Sequence, residues 1–553
     1  MQKEMDVKSP LEMLWQWEQT KPNEVYLSQP KDGKWIDYTW KQVANEVRAM
    51  AGVLQSYGFE PGSRIASLSK NDAYWIISDL AIMAAGYVSV PMYPNLNEKT
   101  VTQILTHSEA KAIFVGKLDT DPWKEMKSGI PDHIIKISTP LWGPTDYTNW
   151  NDLTAKHKPI DGSPVYPINN LASIIYTSGT TGKPKGVMHK YFNFAFAGTH
   201  AVNNISVIEG GKFFSYLPLC HIAERLLVEI GSLYSGGKVF FAENLDTFAD
   251  NLSHAQPNTF LAVPRIWDKF QQKIRAKMPQ KKLNRLLKIP IISGIVKKKI
   301  KNSLGLTEAT NIFSGAAPIP ASLLDWFKSI GINIQEAYAM TENCCYSHVN
   351  RFDSIKIGSV GQPLNHVDVK ISEEGEILIK HVALMDGYYK EPDKTAETFV
   401  DGYLRTGDQG RIDSEDFLYI TGRVKDLFKT DKGKYIAPAP IELSVCGNPY
   451  VEQCVLIGNG IPMPIALITL TEEGLAVGNS TVENSLADTR TQLNPTLDHH
   501  EHIEAFVVLK EPFTIENGLL TPTLKIKRNE VEKKYMDNFK AWYKQKSPVI
   551  FQN

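Results

Sequence analysis

The stretch Ser173-Ile-Ile-Tyr-Thr-Ser-Gly-Thr-Thr-Gly-Lys-Pro-Lys-Gly186 constrains what this chain can fold into more than any other. Its apolar, β-branched start, Ile174 to Tyr176, reads as a buried strand, and it breaks abruptly into hydroxyls, glycines and lysines. Such a loop suits phosphate. Gly179, Gly182 and Gly186 let backbone N–H groups turn toward an anion, Thr177, Ser178, Thr180 and Thr181 add hydroxyl donors, and Lys183 and Lys185 add positive charge. The P-loop of nucleotide triphosphatases is excluded, because Gly179 and Gly182 are only two residues apart and Pro184 follows Lys183. A flexible surface loop is the competing reading.

The 553 residues exceed the size at which a single core stops growing, so at least two domains are expected. A net charge of −1 argues against a nucleic-acid binder. The 5 cysteines, odd in number and never spaced as CxxC, point to a reducing compartment without structural zinc. Met1 to Lys8 holds no apolar secretion core, and no run long enough to span a membrane follows. Up to about residue 170, strands expected near 24–28, 35–38, 64–68, 87–91 and 112–115 alternate with helices. Ser9-Pro10 opens the first helix, Thr39 with Gln42 caps a second that runs to Gly58, and others fall near 72–85 and 98–108. This rhythm implies an α/β layered domain.

The segment Tyr176 to Gly186 resembles the AMP-binding signature of the adenylate-forming superfamily, which includes acyl-CoA synthetases, peptide-synthetase adenylation domains and luciferases. That resemblance implies a large multi-layered N-terminal domain of β-sheets and helices, 1–422, with ATP and acyl pockets. A small mobile α+β C-terminal domain, 423–553, would be joined to it by a hinge at Lys425. Further motifs follow in the family's order. Ser314-Gly-Ala-Ala-Pro318 resembles the adenine-binding turn, which brings in Gly315, Ala316 and Ala317. Glu336-Ala-Tyr-Ala-Met-Thr-Glu342 implies Tyr338 on adenine, Thr341 on phosphate and Glu342 on Mg²⁺, with Ala339 in place of the family's glycine. Asp408 matches the ribose-binding aspartate, and Arg423 a second ribose or phosphate contact. In Leu519-Leu-Thr-Pro-Thr-Leu-Lys-Ile-Lys-Arg528 the resemblance makes Lys525 the catalytic lysine, with Leu524 replacing a glycine and Lys527 a near alternative.

On the acyl side, His221 in Pro218-Leu-Cys-His221 resembles a pocket-lining or gating residue. The segments 241–248 and 261–270 are similar to long-chain and bubblegum-type fatty acyl-CoA synthetases. Leu427 to Pro438 resembles the hairpin that closes on CoA, with Lys432-Gly433 where the family commonly has two glycines. The implied activity is ATP-dependent conversion of a fatty acid to acyl-AMP and then to acyl-CoA, with Mg²⁺, in the cytoplasm, by a monomer or homodimer. Alternatives are a fatty acyl-AMP ligase, a synthetase for another acid, a luciferase-like oxygenase, and a scaffold that binds nucleotide without turnover.

Two features lie outside these motifs. His499, His500 and His502 cluster without the companions a metal site needs, and read as a solvated helix end. The basic run 281–301 interleaves Lys281, Arg285, Lys288 and Lys297–Lys299 with leucines and isoleucines. One reading is a helix lying on an anionic membrane, at the inner face if so. The other is a solvated helix, interrupted at Pro290 and Gly294, that packs its apolar stripe on the core.

Overall fold

The computed structural model describes residues 6–178, 184–431, 433–521 and 525–552, with only the backbone of Ser178. Gly179, Thr180, Thr181, Gly182 and Lys183 of the phosphate loop, together with Lys432, Pro522 and Leu524, lie outside the described residues. The protein is mixed α/β, with a large N-terminal domain and a smaller C-terminal one.

Two large sheets build the N-terminal part. The first has 8 strands; at its centre Val88–Met92, Arg64–Leu68 and Ala112–Val115 run parallel, and Leu171–Ser178 joins alongside Val88–Met92. Pro184–Lys190 then turns back antiparallel to Leu171–Ser178, so the phosphate motif is a hairpin, with Thr177 opposite Lys185. The second has 9 strands and ends in Asn311–Ser314, Gln335–Tyr338, His348–Val349 and Gln362–Pro363. Helix Ala73–Ala84 touches strands of both sheets, and every one of its residues is buried. That explains its near-continuous apolar sequence, since a helix covered on all sides has no face to leave polar.

Capping follows the sequence. Ser9 with Glu12 and Thr39 with Gln42 both form reciprocal capping boxes, fixing the starts of helices Pro10–Thr20 and Trp40–Ser56. One expectation fails: Gly294 does not interrupt anything, because helix Pro290–Ser303 runs straight through it. An added Cβ there would meet nothing within 4 Å, so the position is open, and glycine costs such a helix only about 1 kcal/mol. The breaks fall at the prolines, after helix Pro264–Lys277 and between Gln280–Leu287 and Pro290–Ser303.

A third sheet, of 5 strands, carries Tyr403–Ile412 paired with Leu418–Arg423. After a 3₁₀ turn at Val424–Asp426 comes the short hairpin of Phe428–Lys429 and Tyr435–Ile436. The last sheet has 4 strands, Val451–Ile457, Ile465–Leu470, Ala505–Val508 and Val549–Phe551. Helices Pro438–Val445, Asn479–Leu493 and Arg528–Lys544 bury apolar side chains against it. No helix among the described residues is long and apolar enough to cross a membrane.

Candidate active site

Sheet register brings the first charged pair together. Asp408 and Arg423 sit opposite one another across the antiparallel ladder, and Arg423 Nε donates to Asp408 Oδ1 at 2.9 Å. Tyr338, at the end of its strand in the second large sheet, donates its hydroxyl to Asp408 Oδ2 at 2.7 Å. The Asp408 backbone N–H is held by Thr406 Oγ1 at 3.1 Å, and Gly407, with φ +72°, makes the turn between them. A carboxylate has about four lone-pair sites, so Asp408 keeps acceptor capacity for a diol after these two bonds. Burial, reinforced by Asp408, holds the Tyr338 phenol far above its ordinary value and therefore protonated.

Glu342 sits in the 3₁₀ turn Thr341–Asn343 and accepts a 2.8 Å hydrogen bond from the Tyr388 hydroxyl on Oε1. The ammonium of Lys185 lies 5.0 Å above the Tyr388 ring. Burial lowers the Lys185 ammonium, and the Glu342 carboxylate partly offsets this. Lys425, exposed on its turn, is near enough to repel the Lys185 charge.

Lys525 completes the cluster. Its backbone N–H donates to Thr521 Oγ1 at 3.0 Å and its carbonyl accepts from Thr521 N at 2.8 Å, so the chain folds back on itself at this residue. The Lys525 ammonium is lowered by burial first and by Arg423 next, while Asp408 and Glu342 act the other way. Water reaches Lys525, yet protein crowds it, as expected on the wall of a cleft. Lys527 instead precedes and caps helix Arg528–Lys544. Arg528 anchors this end of the loop, bonding Glu442 at 2.5 Å and the carbonyl of Leu456 at 2.7 Å.

His221 caps the short helix Ile222–Glu224, its Nδ1 accepting from Ala223 N at 3.2 Å. Burial, with Lys525 nearby, pushes it down to about 4, so the ring is neutral and Nε2 carries the proton. In the adenine-type turn Gly315 is buried and Ala316 and Ala317 are exposed. Ala316 has φ +65°, and a Cβ at Gly315 would come 3.3 Å from the Ala337 carbonyl oxygen. Ala339 lies outside the left-handed region, so its methyl group is unstrained where the motif has glycine. Gly433, exposed with φ +77°, makes the turn of the small hairpin. His499 and His502 pack ring to ring at 5.2 Å, and no group of three metal-type ligands occurs among the described residues.

Side chains that no motif flagged also enter. His189, pushed down to about 4 by burial, donates from Nε2 to the Thr341 carbonyl at 2.8 Å and so fixes the turn carrying Glu342. Beneath the phosphate hairpin, Arg225 begins a π-helical turn, Arg225–Ile230, and is fully buried. Its guanidinium bonds Ser173 at 2.7 Å, Asp79 at 2.5 Å and Glu229 at 3.2 Å. Burial and then the Asp79 carboxylate push the Glu229 carboxyl upward, and the Arg225 guanidinium opposes them.

The AMP-binding enzyme family model matches residues 14–389, and the AMP-binding enzyme C-terminal domain matches 411–547. The chain belongs to the AMP-binding enzymes. Among its relatives, it is 29% identical to the long-chain-fatty-acid–CoA ligase FadD15 of Mycobacterium bovis, over 96% of each chain. It is 30% identical to the long-chain-fatty-acid–CoA ligase 5 of Rattus norvegicus, over 95% of this chain and 85% of the rat protein. The fold matches the A domain of a carboxylic acid reductase from Segniliparus rugosus in complex with AMP and a co-purified carboxylic acid. There the TM-score is 0.80 at 21% identity, over 98% of this chain and 95% of the other. It also matches the anthranilate CoA ligase AuaEII in complex with anthranoyl-AMP, at TM-score 0.78 and 20% identity, over 96% and 97%.

Proposed function

We propose that this enzyme is an AMP-forming acid–CoA ligase whose acid is a long-chain fatty acid. The observation that carries the first half-reaction is the convergence of Tyr338, Asp408 and Arg423, joined by hydrogen bonds of 2.7 and 2.9 Å across segments far apart in sequence, within electrostatic reach of the Lys525 ammonium. The ribose hydroxyls of ATP donate to Asp408, while Gly315 to Ala317 and Tyr338 line the adenine. Thr177, Lys185 and Thr341, with Ser178 to Lys183 of the loop tip, hold the phosphates. A fatty carboxylate attacks the α-phosphorus, pyrophosphate departs, and acyl-AMP forms. The Lys525 ammonium neutralises the two anions as they crowd together, so positioning and electrostatics carry most of the rate.

Mg²⁺ fits Glu342, whose Oε1 is held by Tyr388 while the carboxylate keeps lone pairs that would hold a hard cation. When bound, it would neutralise charge on the triphosphate. A solved neighbour, the o-succinylbenzoate CoA synthetase of Bacillus subtilis, is described in complex with ATP and magnesium ion, at TM-score 0.72 and 21% identity over 94% of this chain and 99% of the other.

In the second half-reaction the small domain, 423–553, turns about Lys425, withdraws Lys525 and presents the Gly433 hairpin; the thiol of CoA, losing its proton, attacks the acyl carbonyl of acyl-AMP, the acyl–phosphate C–O bond breaks, and AMP leaves as acyl-CoA forms. His221, neutral beside Lys525, lines the way for the acyl chain. The relatives' names support the fatty acid, and a cytoplasmic setting agrees with the free cysteines Cys220, Cys344, Cys345, Cys446 and Cys454. The test is pyrophosphate release with acids from acetate to stearate, followed by CoA-dependent AMP release. Turnover rising with chain length is expected. ATP left intact by every acid would end the reading, and acyl-AMP accumulating without response to CoA would replace it with a fatty acyl-AMP ligase.

A further inference from the structure

The helical pair Gln280–Leu287 and Pro290–Ser303 separates the two readings of the basic run. Only part of its apolar set packs inward: Leu283, Val296 and Ile300 join the core formed with Phe270 and Phe327. The connection and the first turns of the second helix point the other way. Ile289 is 48%, Ile291 81% and Ile295 63% exposed. Other large apolar side chains on the surface, such as Leu245, Phe352 and Met536, are scattered along the chain. A run of exposed isoleucines within seven residues is therefore not the ordinary background of apolar surface.

Charge surrounds these isoleucines. Lys281, Lys282, Arg285 and Lys288 precede them and Lys297 to Lys299 follow, with no Asp or Glu between Lys269 and Thr307. Among the described residues, none of the cations from 281 to 301 forms an ion pair, although the whole chain carries a net charge of only −1. Uncompensated cations flanking an apolar tip cost free energy on a surface that faces only water. They are offset when the isoleucines enter an acyl layer and the ammonium groups meet anionic headgroups.

We propose that the face formed by Ile289, Ile291, Ile295, Lys288 and Lys297–Lys299 docks on an anionic lipid bilayer. Charge complementarity and the exposed apolar tip choose the occupant, since an acidic protein or a nucleic acid would use the lysines but leave the isoleucines in water. The proposal goes beyond the ligase reading and does not depend on it, because vesicle binding is measured without turnover.

The experiment is flotation of the full chain with phosphatidylcholine vesicles, with and without about one third phosphatidylglycerol. Wild type should float with the anionic vesicles at low salt and stay down with pure phosphatidylcholine. Replacing Lys297, Lys298 and Lys299 by glutamine should lower partitioning by about 100-fold. Ile291→Ser with Ile295→Ser should lower it roughly tenfold at unchanged charge. Both variants change exposed or half-exposed side chains and should keep the wild-type melting temperature and ATP consumption with a water-soluble acid. The proposal is overturned if wild type ignores anionic vesicles, if the isoleucine variant floats like wild type, or if polyglutamate or RNA strips wild type from the vesicles as readily as it strips the isoleucine variant.

Discussion

Two charge clusters built from the same residue types lie on either side of the phosphate hairpin, and they are finished differently. Below it, Arg225 is wholly enclosed, and its guanidinium is shared among Asp79, Glu229 and Ser173. In the cleft, Asp408, Arg423, Glu342 and Lys525 are brought near one another, but Arg423 is half-exposed and both carboxylates keep unused lone pairs. A fully enclosed cluster contributes rigidity and is closed to a ligand. An unsaturated one holds electrostatic potential in reserve for a ligand.

The comparison can be broken by removing one cation from each side. Arg225→Met leaves the buried Asp79 carboxylate without its partner and should cost about 3–5 kcal/mol in denaturant unfolding. A loss below about 1 kcal/mol would mean that the lower cluster is not the structural one. Lys525→Ala should leave stability nearly unchanged but slow acyl-AMP formation by about 10²- to 10³-fold. Thioester formation from supplied acyl-AMP should be spared, which stopped-flow of the separate half-reactions would show. Loss of both halves alike would contradict the role given to this ammonium.

Smaller effects sharpen the contrast. Asp408→Asn keeps the shape but weakens charge-assisted acceptance, so the KM for ATP should rise roughly 10- to 100-fold with little change in melting. At Glu336, which opens the Thr341–Glu342 motif, burial raises the carboxyl to about 8, and Gly358 N–H donates to it at 3.3 Å. The folded state therefore binds the proton more tightly than the unfolded chain. Its contribution is complete below the ordinary carboxylate range and is lost as pH climbs through about 8. Glu336→Gln should flatten the fall of Tm between acid and mildly alkaline buffer by about 1–3 °C.

What could be read in the sequence was whatever short-range spacing encodes. The strand before the phosphate loop, the capping boxes at Ser9 and Thr39, and the alternation that marks an α/β domain all depend on neighbours within a few positions. The closeness of Asp408 and Arg423 is nearly as local, since one hairpin register aligns them. Arg225 and Asp79 were not legible, because 146 residues separate them and only the stacking of two sheets around helix Ala73–Ala84 makes them meet. Tyr388 on Glu342 and His189 on Thr341 are hidden for the same reason. Gly294 misled because a breaker costs little in an exposed helix that its neighbours already hold.

The fastening of Lys525 has a consequence for timing. Thr521 clasps the lysine's own main chain, while Arg528, just beyond it, is riveted to Glu442 and Leu456 of the last sheet's surroundings. The main chain at Lys525 is thus fastened next to Arg528, which is itself bonded to Glu442 and Leu456. Under the proposed mechanism, a swing of that sheet would carry Lys525 with it and disarm the first half-reaction in the same stroke, like an escapement that cannot release one tooth without moving the wheel.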